Sequence, residues 1–126
     1  MQNSNSSKSL NKSKGNKSED LAAEKLQELG YQIIERNFSS GKKEVDIIAK
    51  DGEWLVFVEV KSKVGTDTGR PEEMITPLKI KHIKKVASDY LLYTGTENIA
   101  VRFDVVAILY TEKLTSIDVY KDAFMW

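Results

Sequence analysis

Cysteine is absent, histidine occurs once, as His82, and proline only twice. Without thiols the chain has no disulfide, no thiolate metal site and no cysteine nucleophile, which fits a reducing, cytoplasmic setting. One imidazole argues against a histidine-rich metal cluster or a serine–histidine–aspartate triad. No apolar run approaches the ~20 residues of a membrane span, and no apolar segment of signal-peptide length follows the first lysines. A soluble protein with no membrane partner is therefore expected. Charge of one sign is lacking too, since 19 basic residues balance 19 acidic ones. A neutral chain is a poor non-specific binder of duplex nucleic acid, where affinity comes from neutralising phosphates.

What is present is an ordinary globular composition, 40% apolar and 30% charged over 126 residues, enough for one domain. The charge is unevenly spread. The first eighteen residues, MQNSNSSKSLNKSKGNKS, hold four lysines and no acid, leaving 15 basic against 19 acidic groups in the remainder. With almost no apolar side chains to offset ordering entropy, residues 1–15 read as a disordered basic and polar tail. Such a tail is either a solubilising segment or an arm for nucleic-acid phosphate. Residues 16–126 form the single domain.

Helical periodicity begins in NKSEDLAAEKLQELG. Asn16 and Glu19 stand at capping-box spacing, Gly30 supplies a stop, and Ala22, Ala23, Leu26 and Leu29 form one apolar stripe. Glu19 leans over the edge of that stripe. YQIIERNF reads as a strand, and EVDIIAKDGEWLVFVEVKSK as a hairpin. KVGTDTGRPEE is a loop. Thr76 caps a second helix with Pro77 at its first position, running to about Tyr93 with Ile83, Val86, Ala87 and Tyr90 buried. VRFDVVAILY is a near-continuous apolar run, as in a strand covered on both faces, and TSIDVYKDAF adds a last strand. The order predicts an α/β sandwich with a mixed central sheet flanked by helices, in which the hairpin's second strand runs parallel to RFDVVAIL.

The hairpin raises the chemical question. With Asp51-Gly52 as the turn, Glu44 and Asp46 share a face with Phe57, Glu59 and Lys61, because side chains alternate with period two. Asp46 and Glu59 become diagonal neighbours, roughly 7 Å apart or less at Cβ. Two carboxylates that close in a half-buried place need neutralising. Two solutions are open: an internal salt bridge through Lys61, or a hard divalent cation such as Mg²⁺ or Mn²⁺ that keeps several waters.

An acid on the first helix, then Asp46, then Glu59-Val60-Lys61 resembles the PD-(D/E)XK nuclease superfamily. More closely, GNKSEDLAAEKLQELGYQIIERNF, EVDIIAKDGEWLVFVEVKSK, TPLKIKHIKKVASDYL, RFDVV and DAF resemble the YraN-like family, bacterial proteins proposed as endonucleases and similar to archaeal Holliday junction resolvases. Lys43 and Lys63 depart from that pattern, standing where glycine and arginine are usual.

The resemblance implies a restriction-endonuclease-like α-β-β-β-α-β fold and Mg²⁺- or Mn²⁺-dependent hydrolysis of phosphodiester bonds in structured or branched DNA. It implies Asp46, Glu59 and the Val60 carbonyl as metal ligands, with Glu19 nearby. Lys61 would activate water and offset transition-state charge, and Lys79 would contact phosphate. Arg70, in the loop, is available to a second phosphate. Lys81, Lys84 and Lys85 are either a solvated helix face or part of the nucleic-acid footprint. A homodimer suits the cutting of a symmetric junction. The alternative is a catalytically silent nucleic-acid-binding or assembly module on the same fold.

Overall fold

The computed structural model describes residues 6–65 and 75–126, with side chains described from Lys17 onward. Helix α1 spans Ser6–Glu28, followed by strands β1 (Gln32–Ser40), β2 (Lys43–Asp51) and β3 (Trp54–Val64). Helix α2 (Pro77–Thr94) then crosses to β4 (Ala100–Tyr110), and β5 (Thr115–Phe124) completes the sheet. The strands lie in chain order, β1 to β5. Only β3 and β4 are parallel; the other neighbours are antiparallel. This is a mixed α/β sandwich of the restriction-endonuclease-like type, as expected.

Each helix covers one face. Ala22, Ala23 and Leu26 of α1 bury against Ile47, Ala49, Val56, Val58, Val106 and Ile108. On the opposite face Ile83, Val86, Ala87 and Tyr90 of α2 bury against Ile48, Leu55, Phe57 and Phe103. Burying the central strands on both sides explains their nearly unbroken apolar runs. Helix α2 begins as its sequence indicates: the Thr76 hydroxyl accepts from the Lys79 N–H at 3.1 Å, and Pro77 opens the first turn. It stops at Gly95, whose φ of 66° is the left-handed cap favoured by glycine.

Three expectations need correction. Helix α1 starts at Ser6 rather than near Asn16, so Asn16 and Glu19 lie inside a helix and do not form its capping box. Residues 6–15 of the expected tail are the first turns of α1, and residues 1–5 of it lie outside the described residues. Leu29, expected in the buried stripe, is 48% exposed because the helix ends before it. Finally, the hairpin closes through Gly52-Glu53, with Asp51 paired to Trp54 and Lys50 to Leu55. Gly52 takes φ 62°, the first central position of a tight turn that needs glycine there. Asp51 is instead held in the strand by its carboxylate, which accepts from Arg102 at 2.8 Å and Lys121 at 3.2 Å.

That carboxylate belongs to a polar network at the hairpin end of the sheet. Arg102 donates to both oxygens of Asp104, at 2.9 Å and 2.8 Å, and to the Tyr31 hydroxyl at 2.9 Å. Tyr31 in turn donates to Asp104 at 2.6 Å, and the Asp122 N–H adds a bond of 2.9 Å. Asp104 is fully buried. Burial, with Asp104 beside it, pushes the Tyr31 hydroxyl well above its usual range, so it stays a donor. The network ties the first turn after α1, the hairpin tip, β4 and β5 together.

Removing one partner of a buried ion pair strands the other charge. Arg102→Met should destabilise the fold by about 3–5 kcal/mol in urea unfolding. Arg102→Met/Asp104→Asn should lose less than the single variant, because no uncompensated charge remains. Equal losses in the two would show that packing of the guanidinium, not its charge, is what matters.

Candidate active site

The antiparallel pairing of β2 and β3 runs from Asp51↔Trp54 to Ile47↔Val58 and ends there, although both strands continue. The next position along this register sets Asp46 opposite Glu59, closer than the diagonal relation expected, because the turn sits one residue later. Face-sharing is preserved, since the change moves opposed pairs by two residues. Past the last pair the Val60 N–H is released from the ladder, and the Asp46 carboxylate accepts it through Oδ2 at 2.8 Å. A residue's N–H and C=O leave a strand on the same side, so the Val60 carbonyl is also on the Asp46 side.

Asp46 marks a change of face within β2. Ile47 packs on the α1 side and Ile48 on the α2 side, yet Val45 joins the α2-side cluster as well. Strict alternation would send Val45 with Ile47. The chain therefore turns over at Asp46, which leaves that carboxylate between the two layers. From one layer it is felt by Glu19 of α1; from the other, by Glu59.

Glu59 is the most constrained group. It is 5% exposed, on the same face as Phe57, which packs edge-on to Tyr90 at 5.8 Å and against Phe103 at 5.9 Å. One carboxylate oxygen, Oε2, lies 3.5 Å from the Lys79 ammonium. The other, Oε1, is buried without a hydrogen-bond partner among the described residues. Burial first, and then the negative charge of Asp46, push the Glu59 carboxyl up to about 8, only partly countered by Lys79. Glu19 is shifted the same way for the same leading reason, with Asp46 contributing, while its hydrogen bond from Asn37 opposes the shift.

Lys61 follows Glu59 on the same face of β3 by alternation and is partly exposed. It makes no ion pair with a described residue, so the internal salt bridge considered from sequence is not what offsets the acids. Lys79, from the first turn of α2, takes that place. Glu44 lies apart, exposed and bonded to Ser39. Lys81 and Lys85 are exposed and Lys84 half-buried along α2, and Lys85 is engaged by Asp89 at 2.8 Å. Arg70 and the rest of 66–74 lie outside the described residues. Sequence reasoning passed over Arg36 and Asn37, which contact Glu19 at 3.5 Å and 2.9 Å. The signal was there in a polar Glu-Arg-Asn step within an apolar strand, where asparagine is normally depleted.

Among the described residues no three acidic or imidazole side chains converge as a ready-made metal cage. The donor set is leaner: two carboxylates, one with an unpartnered buried oxygen, and a backbone carbonyl on the same side. That set suits Mg²⁺, which is usually held by one or two carboxylates and completes its shell with water.

Fold and site thus define a mixed α/β sandwich with an acid pair and two lysines at the place where two central strands part. Residues 18–108 match the profile of uncharacterised protein family UPF0102, a span that contains Glu19, Asp46, Glu59, Lys61 and Lys79. The chain belongs to this family, the YraN-like proteins. A UPF0102 protein of Geobacter sulfurreducens is 47% identical over 98 residues, covering 78% of this chain and 77% of its own. One from Geotalea daltonii is 42% identical over 118 residues, 93% of each chain, and one from Rhodococcus jostii is 48% identical over 91 residues, 72% of this chain and 77% of its own.

The raised carboxyl makes stability depend on pH in metal-free buffer. Between its ordinary value of 4.5 and about 8, the folded protein keeps a proton that the unfolded chain has released. Stability is then full below the lower value and falls as pH rises through the upper one, by at most about 1.4 kcal/mol per pH unit. Subtracting the profile of Glu59→Gln from wild type should isolate this slope, with the variant the more stable protein above pH 8. Parallel profiles would mean that Glu59 is not held protonated.

Proposed function

We propose that this protein is a metal-dependent endonuclease that hydrolyses phosphodiester bonds in DNA, with structured or branched DNA as its substrate class. The observation that carries this reading is the Asp46–Glu59 pair: two acids kept together, with a buried Glu59 oxygen that has no hydrogen-bond partner among the described residues. A purely structural role gives no return for that arrangement, whereas a divalent cation turns it into a favourable one. Asp46, Glu59 and the Val60 carbonyl would hold Mg²⁺ or Mn²⁺, with Glu19 close behind. When bound, the ion would polarise the scissile phosphate and lower the pKa of a water.

The chain's own residues take the remaining tasks. Lys61 stands beside Glu59 with no competing ion pair among the described residues. Its ammonium can hold the attacking water in line and donate to the phosphate oxygen on which negative charge grows. Lys79 balances Glu59 in the absence of metal. With a cation held by the acid pair, its ammonium would be available to a neighbouring phosphate. The low net charge fits recognition by local contacts rather than by a broad electrostatic field. Cleavage of two strands of a symmetric junction would need two copies of the chain.

A panel of duplex, nicked, flap and four-way-junction DNA incubated with Mn²⁺ tests the reading. Wild type should cut at least one branched substrate, and Lys61→Ala should be slower by about 10²–10³-fold, the usual cost of losing one donor to a developing oxyanion. Mn²⁺ should also raise the melting temperature of wild type but not of Asp46→Asn. DNA binding without cleavage and without Mn²⁺ stabilisation would favour the silent binding module. Cleavage that persists equally in Lys61→Ala would remove that lysine from the mechanism.

A further inference from the structure

Glu19 reaches the site from α1, a different layer from Glu59, and something has to aim it. On β1, Arg36 pairs with Ile47 and Phe38 with Val45, so Asn37 occupies the register position of Asp46. Strand β1 changes face there too. Arg36 meets the acids of α1, whereas Phe38 stacks edge-on against Tyr90 of α2 at 5.0 Å. Asn37 accommodates the change with φ 55°, a left-handed conformation that asparagine tolerates better than most side chains. The amide so placed donates from Nδ2 to Glu19 Oε1 at 2.9 Å.

Arg36 cannot be the aiming group. Its guanidinium is 3.5 Å from the same Glu19 oxygen but 2.7 Å from Asp20 Oδ1, which is two-thirds exposed. It supplies positive charge to two acids rather than a fixed direction to one. Both contacts to Glu19 fall on Oε1, leaving Oε2 unengaged by the described residues. We propose that Asn37 is a positioning residue of the site: it clamps one oxygen of Glu19 so that the other is presented beside Asp46 to a divalent cation. This rests on the reading of the acid pair as a metal centre. Paired face changes at Asn37 and Asp46 are then one device, since the first aims the helix acid at the second.

Isothermal titration with Mn²⁺ alone, on the full chain, separates the possibilities. Asn37→Gly keeps the left-handed backbone without strain and leaves Arg36 in place, so only the amide is lost. Its Mn²⁺ affinity should fall about tenfold, as for other groups that orient a metal ligand. Glu19→Gln should weaken binding as well, and Asn37→Gly/Glu19→Gln should be no weaker than the worse single variant, because the amide acts only through Glu19. Asn37→Ser, too short to reach Glu19, repeats the measurement should glycine loosen the strand. Affinity in Asn37→Gly and Asn37→Ser within twofold of wild type, while Glu19→Gln weakens it, would overturn the positioning role alone. So would additive losses in the double variant. Wild type that takes up no Mn²⁺, or binding indifferent to Asp46→Asn, would overturn the metal centre itself and this inference with it.

Discussion

The rest of the structure is organised around the burial of Glu59 beside Asp46. Each carboxylate alone is tolerable at a strand end; together, with Glu59 buried, they disfavour double ionisation. A buried charge that is not satisfied costs several kcal/mol, so the fold has to supply a cation or hold a proton. It does some of both, with Lys79 at 3.5 Å and a carboxyl pushed well above its ordinary value. A protein selected only for stability would place a valine or phenylalanine there, because a hydrophobic replacement of a buried charged group is often neutral or stabilising.

The sheet is built so that its two ends do different things. At the hairpin tip, Asp51, Arg102, Asp104, Tyr31 and Lys121 are joined by hydrogen bonds and ion pairs that tie the end of β2 to β4 and β5. At the other end the ladder lets go at Ile47↔Val58, and both β1 and β2 turn over within one register position. Because a slip of a single residue would send Asp46 to the wrong layer, the rigid tip is what guarantees the geometry of the open end. The parallel partner β4 continues beside β3 past this point, pairing Glu59 with Val105 and Lys61 with Ala107. Strand pairing for the Glu59-Val60-Lys61 segment therefore comes from β4, while on its β2 side the Val60 N–H is taken by the Asp46 carboxylate.

Much of this was legible in the residues and some was not, for identifiable reasons. Period-two alternation puts Glu59 and Lys61 on one face whatever the turn, and the helix stripes on Ala22, Leu26, Ile83, Val86 and Tyr90 follow from 3.6-residue periodicity. The turn was misplaced because Asp-Gly is a strong local signal, yet Asp51 has a long-range partner in Arg102 that outweighs it. The start of α1 was misjudged because capping propensity at Asn16 is worth only about 1 kcal/mol. The face changes at Asn37 and Asp46 were invisible: they break the very alternation from which strands are read. The pairing of Arg102 and Asp104 with Tyr31 leaves no local trace in VRFDVVAILY, which reads simply as a near-continuous apolar run.

The same comparison separates the two lysines that the site contains. Lys79 sits on the buried side of α2, one turn before Ile83, and its position is explained by Glu59 alone: an acid in the core needs a countercharge, and a long side chain at a helix start can deliver one. Lys61 has no such explanation. It extends the row of Glu59 along β3 without serving as its partner, in a chain that could have used it to neutralise the acid directly. Among the described residues no ion pair accounts for its place beside a buried carboxylate. Of the two lysines, only Lys79 is accounted for by a partner among the described residues.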